Sequence, residues 1–75
     1  MNKQRRKELE KVQDAIFGII ADLECIRDEE QEAFDNLPES LQYSEKGEYM
    51  EETIGMIEDV LNDLESIDME ELCNR

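Results

Sequence analysis

The stretch Leu9–Ile26, LEKVQDAIFGIIADLECI, carries the pattern that decides the fold. Its apolar residues recur at alternating spacings of 3 and 4, which is typical of an α-helix that packs along a partner helix. The intervening residues are mostly charged or amide side chains that favour helix. We therefore predict a first helix over about residues 2–34. Its apolar seam comprises Leu9, Val12, Ile16, Ile19, Leu23 and Ile26.

A second run with the same spacing predicts a second helix over about residues 45–72. The strict repeat next falls on Asp68, so we expect the apolar face to shift to Ile67 and Leu72 near the end. The seam of this helix comprises Met50, Ile54, Ile57, Leu61 and Leu64.

The segment between the helices, residues 35–44 (DNLPESLQYS), is here called the connecting segment. Pro38 is excluded from a helix interior because it lacks an N–H group and clashes with the preceding turn. We expect Asn36 and Glu39 to form a capping box on a short helical turn, and Ser44 to cap the second helix. The expected fold is therefore all-α, one domain over residues 1–75, as an antiparallel, coiled-coil-like two-helix hairpin.

The charge distribution also favours the antiparallel arrangement. Residues 1–11 have a net charge of +3, whereas residues 12–74 have a net charge of −18. Basic residues at a helix N-terminus and acids at a helix C-terminus both oppose the helix dipole, and a hairpin places the two ends side by side. With a turn near residue 41, Cys73 would face roughly residue 9, and Cys25 would lie ~24 Å away, too far for an intramolecular disulfide.

Two helices of this length bury little apolar surface, and both seams are wider than one partner helix covers. We therefore expect a homodimer that forms a four-helix bundle, or docking of the open face on another protein. The residues expected in the oligomer seam are Ile16, Ile19, Leu23, Ile26, Ile54, Ile57, Leu61 and Leu64.

Composition argues against several classes of function. The 75 residues include 22 acids, 8 Lys or Arg and no His, for a net charge of −14. This charge opposes direct binding to nucleic acid or anionic lipid. Without a His base, a metal-ligand cluster or a phosphate-binding loop, we expect no enzyme, no metal and no cofactor. No apolar segment resembles a signal peptide or a membrane span, so we expect a cytoplasmic protein.

The acids form two arrays on the outward positions of the helices, and a line of carboxylates can imitate the phosphates of a nucleic acid. We therefore expect a small acidic protein-binding module that blocks a basic nucleic-acid enzyme. The alternative is a helical adaptor or assembly protein that acts through its apolar seam, with the acids serving only solubility. The residues expected to bind the partner are Asp28, Glu29, Glu32, Asp35, Glu48, Glu51, Glu52, Glu58, Asp59 and Asp63.

The connecting segment also carries a resemblance. Residues 35–42 (DNLPESLQ) followed by Ser44 resemble small acidic, largely uncharacterised helical proteins of Firmicutes and their phages. Their pattern is Asp-Asn-Ile/Leu-Pro-Glu-x-Leu-Gln-x-Ser, and Gly47 departs from the group, in which bulkier residues are common there. The resemblance implies a helical hairpin and a mobile-element origin, and it transfers no functional residues. With such an origin, the expected inhibitor is an anti-defence protein that blocks a basic host defence nuclease or another nucleic-acid enzyme in the cytoplasm of the bacterial host, and the adaptor remains the alternative.

Overall fold

The chain is all-helical in the computed structural model, which describes all of residues 1–75. Four helices follow one another: α1 (Lys3–Asp35), α2 (Glu39–Gln42), α3 (Glu45–Glu65) and α4 (Met69–Cys73). The molecule measures 59 × 15 × 11 Å, and its radius of gyration is 17.6 Å. A compact domain of this length would have a radius of gyration of about 11 Å, so the protein is a rod.

Helix α1 forms most of the length of this rod. At 1.5 Å per residue, its 33 residues extend about 50 Å. The side chain of Asn2 caps its first turn by accepting a hydrogen bond from the main-chain N–H of Arg5 at 2.8 Å. Asn36 lies at its C-terminal end, where the Asn36 N–H donates to the main-chain oxygen of Glu32 and the Leu37 N–H donates to that of Phe34, both at 3.0 Å.

The expected capping box in the connecting segment is wrong. Asn36 ends α1, and Pro38 occupies the N-cap position of α2 without any side-chain cap. The side-chain amide of Gln42 stabilises the connection between α1 and α2 instead, since it donates to the main-chain oxygens of Phe34 and Leu37, both at 3.3 Å. These bonds tie α2 back onto the end of α1.

Ser44 caps α3 as the sequence predicted, and a close approach of two backbones follows it. The Ser44 hydroxyl accepts from the Gly47 N–H at 3.4 Å and donates to the main-chain oxygen of Leu41. Gly47 is buried, and a Cβ atom at this position would lie 2.6 Å from the Leu41 oxygen and would also overlap the backbone of Gln42. The glycine that departs from the resembling group is therefore the residue that lets α3 start against α2.

The single second helix expected over residues 45–72 is divided in two. Helix α3 ends at Glu65, and α4 starts at Met69 after Asp68, whose carboxylate accepts from the Glu71 N–H at 3.1 Å. The polar Asp68 falls on a seam position, so a continued helix would have turned it toward α1. As the cap of a new helix, the carboxylate stays exposed and satisfies a free N–H group instead.

The second expectation for this region, a shift of the apolar face to Ile67 and Leu72, is also wrong. Both side chains are exposed, and the break turns Met69 and Cys73 inward instead. Helices α3 and α4 both contact α1, and α2 contacts α3. The buried apolar residues are few, and they are Met50, Ile54, Leu61 and Cys73.

Contacts between residues distant in sequence fix the position of the chain end. The thiol of Cys73 lies 3.9 Å from the side-chain oxygen of Gln13, and a guanidinium nitrogen of Arg6 lies 3.4 Å from the main-chain oxygen of Arg75. Cys73 thus lies about one helical turn from its expected position opposite residue 9, because the break at 66–68 alters the register. Cys73 and the exposed Cys25 are both free thiols.

Candidate interaction surfaces

The face of α1 that packs on α3 and α4 differs from the predicted seam by a small rotation. Leu9, Ile16 and Leu23 are half-buried, as are residues on the stripe that includes Gln13 and Ile20. The other half of the predicted seam is turned outward, and its side chains are half exposed: Val12 (47%), Ile19 (51%) and Ile26 (50%). These three residues repeat every seventh position, so they form one continuous apolar row along α1.

Helix α3 has a corresponding exposed row. Tyr49 is 71% exposed and Met56 is 62% exposed, and both lie on one side of the helix with Thr53 and Val60. Helix α3 contains eight acids in 21 residues; none of them lies between Tyr49 and Val60 on this row, and Glu45 and Asp63 lie at its two ends. The row is therefore an apolar stripe on an otherwise acidic helix.

The two rows flank one shallow groove. Leu23 of α1 lines it together with a set of α3 residues, and five of the six lining residues are hydrophobic. Leu23 is the neighbour of Ile19 and Ile26 on the surface of α1, since helix positions three and four apart are adjacent. We call the exposed rows and this groove the apolar face. It comprises Val12, Ile19, Leu23, Ile26, Tyr49, Thr53, Met56, Ile57 and Val60.

The residues of the predicted oligomer seam are therefore distributed between two environments. Ile54 and Leu61 are buried within the chain, and Ile16, Leu23, Ile57 and Leu64 are half-buried. Only Ile19 and Ile26 are largely exposed. Tyr49, Met56 and Val60 are not part of the predicted seam, and all three lie on the exposed apolar face.

All ten acids of the predicted partner-binding set are exposed. At about 100° per residue, Glu51 and Glu58 lie roughly 160–180° around α3 from Val60. By the same rule, Asp28 and Asp35 lie roughly 160–180° around α1 from Ile26. These four acids thus point away from the apolar face, whereas Asp63, seven residues after Met56, lies on the same side of α3 as that face. We call the exposed acids of residues 22–35 and 46–60 the acidic face.

The charge density of this part of the rod is close to that of a nucleic acid. Residues 22–35 hold seven acids and Arg27, and residues 46–60 hold five acids and Lys46, so their net charge is −10. The groove shows that the two segments lie side by side. The longer of them extends about 21 Å, which gives one net charge per ~2 Å, against ~1.7 Å for duplex DNA.

Few cations neutralise these carboxylates. The structure contains two ion pairs, Arg27 with Asp28 at 3.3 Å and Arg75 with Glu71 at 3.8 Å, each between residues close together in sequence. The basic residues near the start of α1 lie beside the end of the chain but make no ion pair with its acids. The basic end of α1 and the acidic end of the chain thus lie close together, as expected, but no ion pair joins them.

A cleft at the junction of α3 and α4 is a second concave feature. Phe17, Ile20 and Met69 line it together with Glu65 and Glu70. No group of three His, Cys, Asp or Glu side chains is placed to hold a metal ion. None of the helices is both long enough and apolar enough to cross a membrane. The two extended faces are thus the features of the molecule best suited to binding.

Comparisons with known proteins do not indicate what these surfaces bind. The chain matches no protein-family model, no curated protein and no solved structure.

Proposed function

We propose that this protein is a small acidic binding module whose acidic face occupies the nucleic-acid groove of a basic protein. The observation that carries this proposal is the net charge of −10 on two adjacent helical segments about 21 Å long. A groove lined with Lys and Arg attracts closely spaced negative charge whether phosphates or carboxylates supply it. The chain inhibits its target by filling the groove that nucleic acid would occupy. This kind of inhibition requires no catalytic residue.

The proposal includes the arrangement of the chain as an antiparallel hairpin that dimerises into a four-helix bundle. The contacts of Gln42 with Phe34, and of Cys73 with Gln13, support the hairpin, because later residues meet progressively earlier ones. This arrangement sets the carboxylates of α1 beside those of α3, and each helix alone would have about half the charge density.

The resemblance of the connecting segment to proteins of Firmicutes and their phages indicates the kind of target. In this proposal the protein belongs to a phage or mobile element, and its partner is a host defence nuclease or another nucleic-acid enzyme. Such enzymes hold DNA or RNA by phosphate contacts to Lys and Arg.

An alternative function rests on the apolar face. Ile19, Ile26 and Met56 expose half or more of their surface, and an adaptor would use such residues to dock a helix of another protein. The two functions differ in their response to salt. Charge-dependent binding weakens as the Debye length falls from ~8 Å at 0.15 M to ~3 Å at 1 M salt, whereas apolar docking does not weaken.

The proposed function is tested by capture from a bacterial lysate depleted of nucleic acid, with the immobilised protein washed at low and at high salt. We expect recovery of a basic nucleic-acid-binding protein that leaves at high salt. A partner that survives the high-salt wash would instead support the adaptor function.

A matched pair of charge-reversal variants makes this test specific. Reversal to Lys of four acids of the acidic face should abolish capture, and these are Glu51, Glu52, Glu58 and Asp59. Reversal of four acids at the ends of the rod should leave capture largely intact, and these are Glu8, Glu10, Glu70 and Glu71. Each set changes the net charge from −14 to −6, so only position distinguishes them. Circular dichroism verifies that both variants keep their helices, and equal capture by both would refute the proposal.

A further inference from the structure

We infer that the groove of the apolar face binds a basic amphipathic helix of another protein. The apolar side of that helix packs between α1 and α3, and its Lys and Arg side chains reach carboxylates on both edges of the groove. Docking of this kind is a specific form of the adaptor alternative and rests on it, whereas it is independent of nucleic-acid mimicry by the acidic face.

The groove between α1 and α3 has room for one helix. Ile19 and Ile26 each expose about half of their surface on the α1 side, and Met56 is 62% exposed on the α3 side. Leu23 lines the groove between them. Over residues 49–60 of α3 the groove extends about 17 Å, the length of about 11 residues of helix. A helix laid along it would insert an apolar stripe of side chains spaced three and four apart.

Carboxylates border the groove along α3. Glu52 lies between Tyr49 and Met56 in sequence and roughly 40–60° further around the helix, at the outer edge of the apolar stripe. Asp63 follows Val60 by three residues and extends this edge. Both carboxylates are exposed, and neither makes an ion pair.

The α1 side of the groove has a border of the same kind. Asp22 lies three residues after Ile19 and four before Ile26, so it is adjacent to both exposed side chains. Glu29 follows Ile26 by three residues and continues the edge. These two carboxylates are also exposed and unpaired. The groove is therefore apolar along its centre and negatively charged on both sides.

The charge of these edges favours a basic occupant. Residues 19–26 of α1 and 49–60 of α3 include no Lys or Arg, and Lys46 lies beyond Tyr49, where the groove ends. A second copy of this chain would set its own carboxylates against the same edges, and like charges brought together oppose binding. A helix whose apolar stripe is flanked by Lys or Arg matches both the centre and the edges, so it is the better occupant.

Fluorescence anisotropy with labelled synthetic peptides at physiological ionic strength tests this inference. The basic peptide has about 18 residues, with Leu at helical spacing on one side and Lys along both edges of that stripe. A neutral peptide has Gln in place of Lys, and a scrambled peptide keeps the basic composition without the stripe. We expect the basic peptide to bind about tenfold or more tightly than either, because only it matches both the groove and its edges.

Variants of this chain assign the binding to the groove. Met56→Glu places a carboxylate among the apolar side chains and should weaken binding of the basic peptide by about tenfold or more. It also raises the net negative charge, so charge attraction alone would strengthen the binding instead. Asp22→Asn with Glu52→Gln should weaken binding about fivefold. Glu10→Gln with Asp14→Asn, on the opposite side of α1, should change it less than about twofold. Each pair changes the net charge from −14 to −12.

Equal binding of the basic and scrambled peptides would show charge attraction alone and would overturn the inference. Equal binding of the basic and neutral peptides would overturn the requirement for a basic partner. A stable dimer of this chain that excludes the basic peptide would assign the groove to a second copy. Met56→Glu also separates this inference from nucleic-acid mimicry, because it keeps every carboxylate of the acidic face. Capture of a basic nucleic-acid-binding protein should therefore persist in this variant, while binding of the peptide is lost.

Discussion

Replacement of Gly47 by Ala tests the backbone approach that joins α2 to α3. A Cβ atom at this position would lie 2.6 Å from the Leu41 oxygen and would overlap the carbonyl group of Gln42. Both obstacles are backbone atoms, so no flexible side chain can move aside. Ordinary contact needs at least 3.4 Å, and the start of α3 would have to shift by more than 1 Å to clear the Gln42 oxygen.

The magnitude follows from two opposing effects. Forced overpacking costs ~3 kcal/mol at the upper end of its usual range, and we place this site there because both neighbours are rigid. Alanine recovers about 1 kcal/mol of helix propensity relative to glycine. We therefore expect Gly47→Ala to lower the free energy of unfolding by about 2 kcal/mol. For a chain of this size, the melting temperature should fall by roughly 8–16 °C.

Gly18 and Gly55 offer matched controls, because a Cβ atom at either position meets nothing within 4 Å. Gly18→Ala and Gly55→Ala should each raise the free energy of unfolding by about 1 kcal/mol. Thermal unfolding followed by circular dichroism, at one fixed protein concentration, measures all three variants. If Gly47→Ala is as stable as Gly18→Ala, the reasoning about the close approach is refuted.

Three further substitutions test the other parts of the fold. Ser44→Ala removes the cap of α3 and should cost about 1 kcal/mol in thermal unfolding; no change would mean that the 3.4 Å bond contributes nothing. Asp68→Ala removes the cap of α4, so the buried Cys73 thiol should react several-fold faster with a thiol reagent, and an unchanged rate would contradict this. Leu61→Ala should lower the free energy of unfolding by about 2–5 kcal/mol, because only 3% of Leu61 is exposed. Leu72→Ala, at a 39% exposed site, should lower it by less than about 1 kcal/mol. Equal losses would refute the assigned core.

The sequence predicted the all-helical class and the cap at Ser44 because both depend on local signals. Heptad spacing reports that a helix has an apolar side, and a hydroxyl before an acidic first turn reports where a helix begins. The break between α3 and α4 also had a local signal. Asp68 followed three residues later by Glu71 is a capping pattern, and the carboxylate of Asp68 does cap α4.

The inward face of α1 could not be derived from spacing. Two overlapping stripes run along α1, and both contain Leu9, Ile16 and Leu23. One stripe continues through Val12 and Ile19, and the other continues through polar positions such as Gln13. Periodicity favours the more apolar stripe, yet the structure turns the other one inward. The choice depends on where α3 and α4 lie, and the break at residues 66–68 sets that position. The apolar face was missed for the same reason.

Competition with duplex DNA for one target tests the central claim, nucleic-acid mimicry, most directly. The captured basic protein is titrated with a labelled duplex in the presence of this chain, at physiological ionic strength. We predict mutually exclusive binding, in which the chain displaces the duplex in proportion to its own affinity, while the variant with Glu51, Glu52, Glu58 and Asp59 reversed to Lys displaces none. A ternary complex in which the target holds the duplex and this chain together would contradict the account.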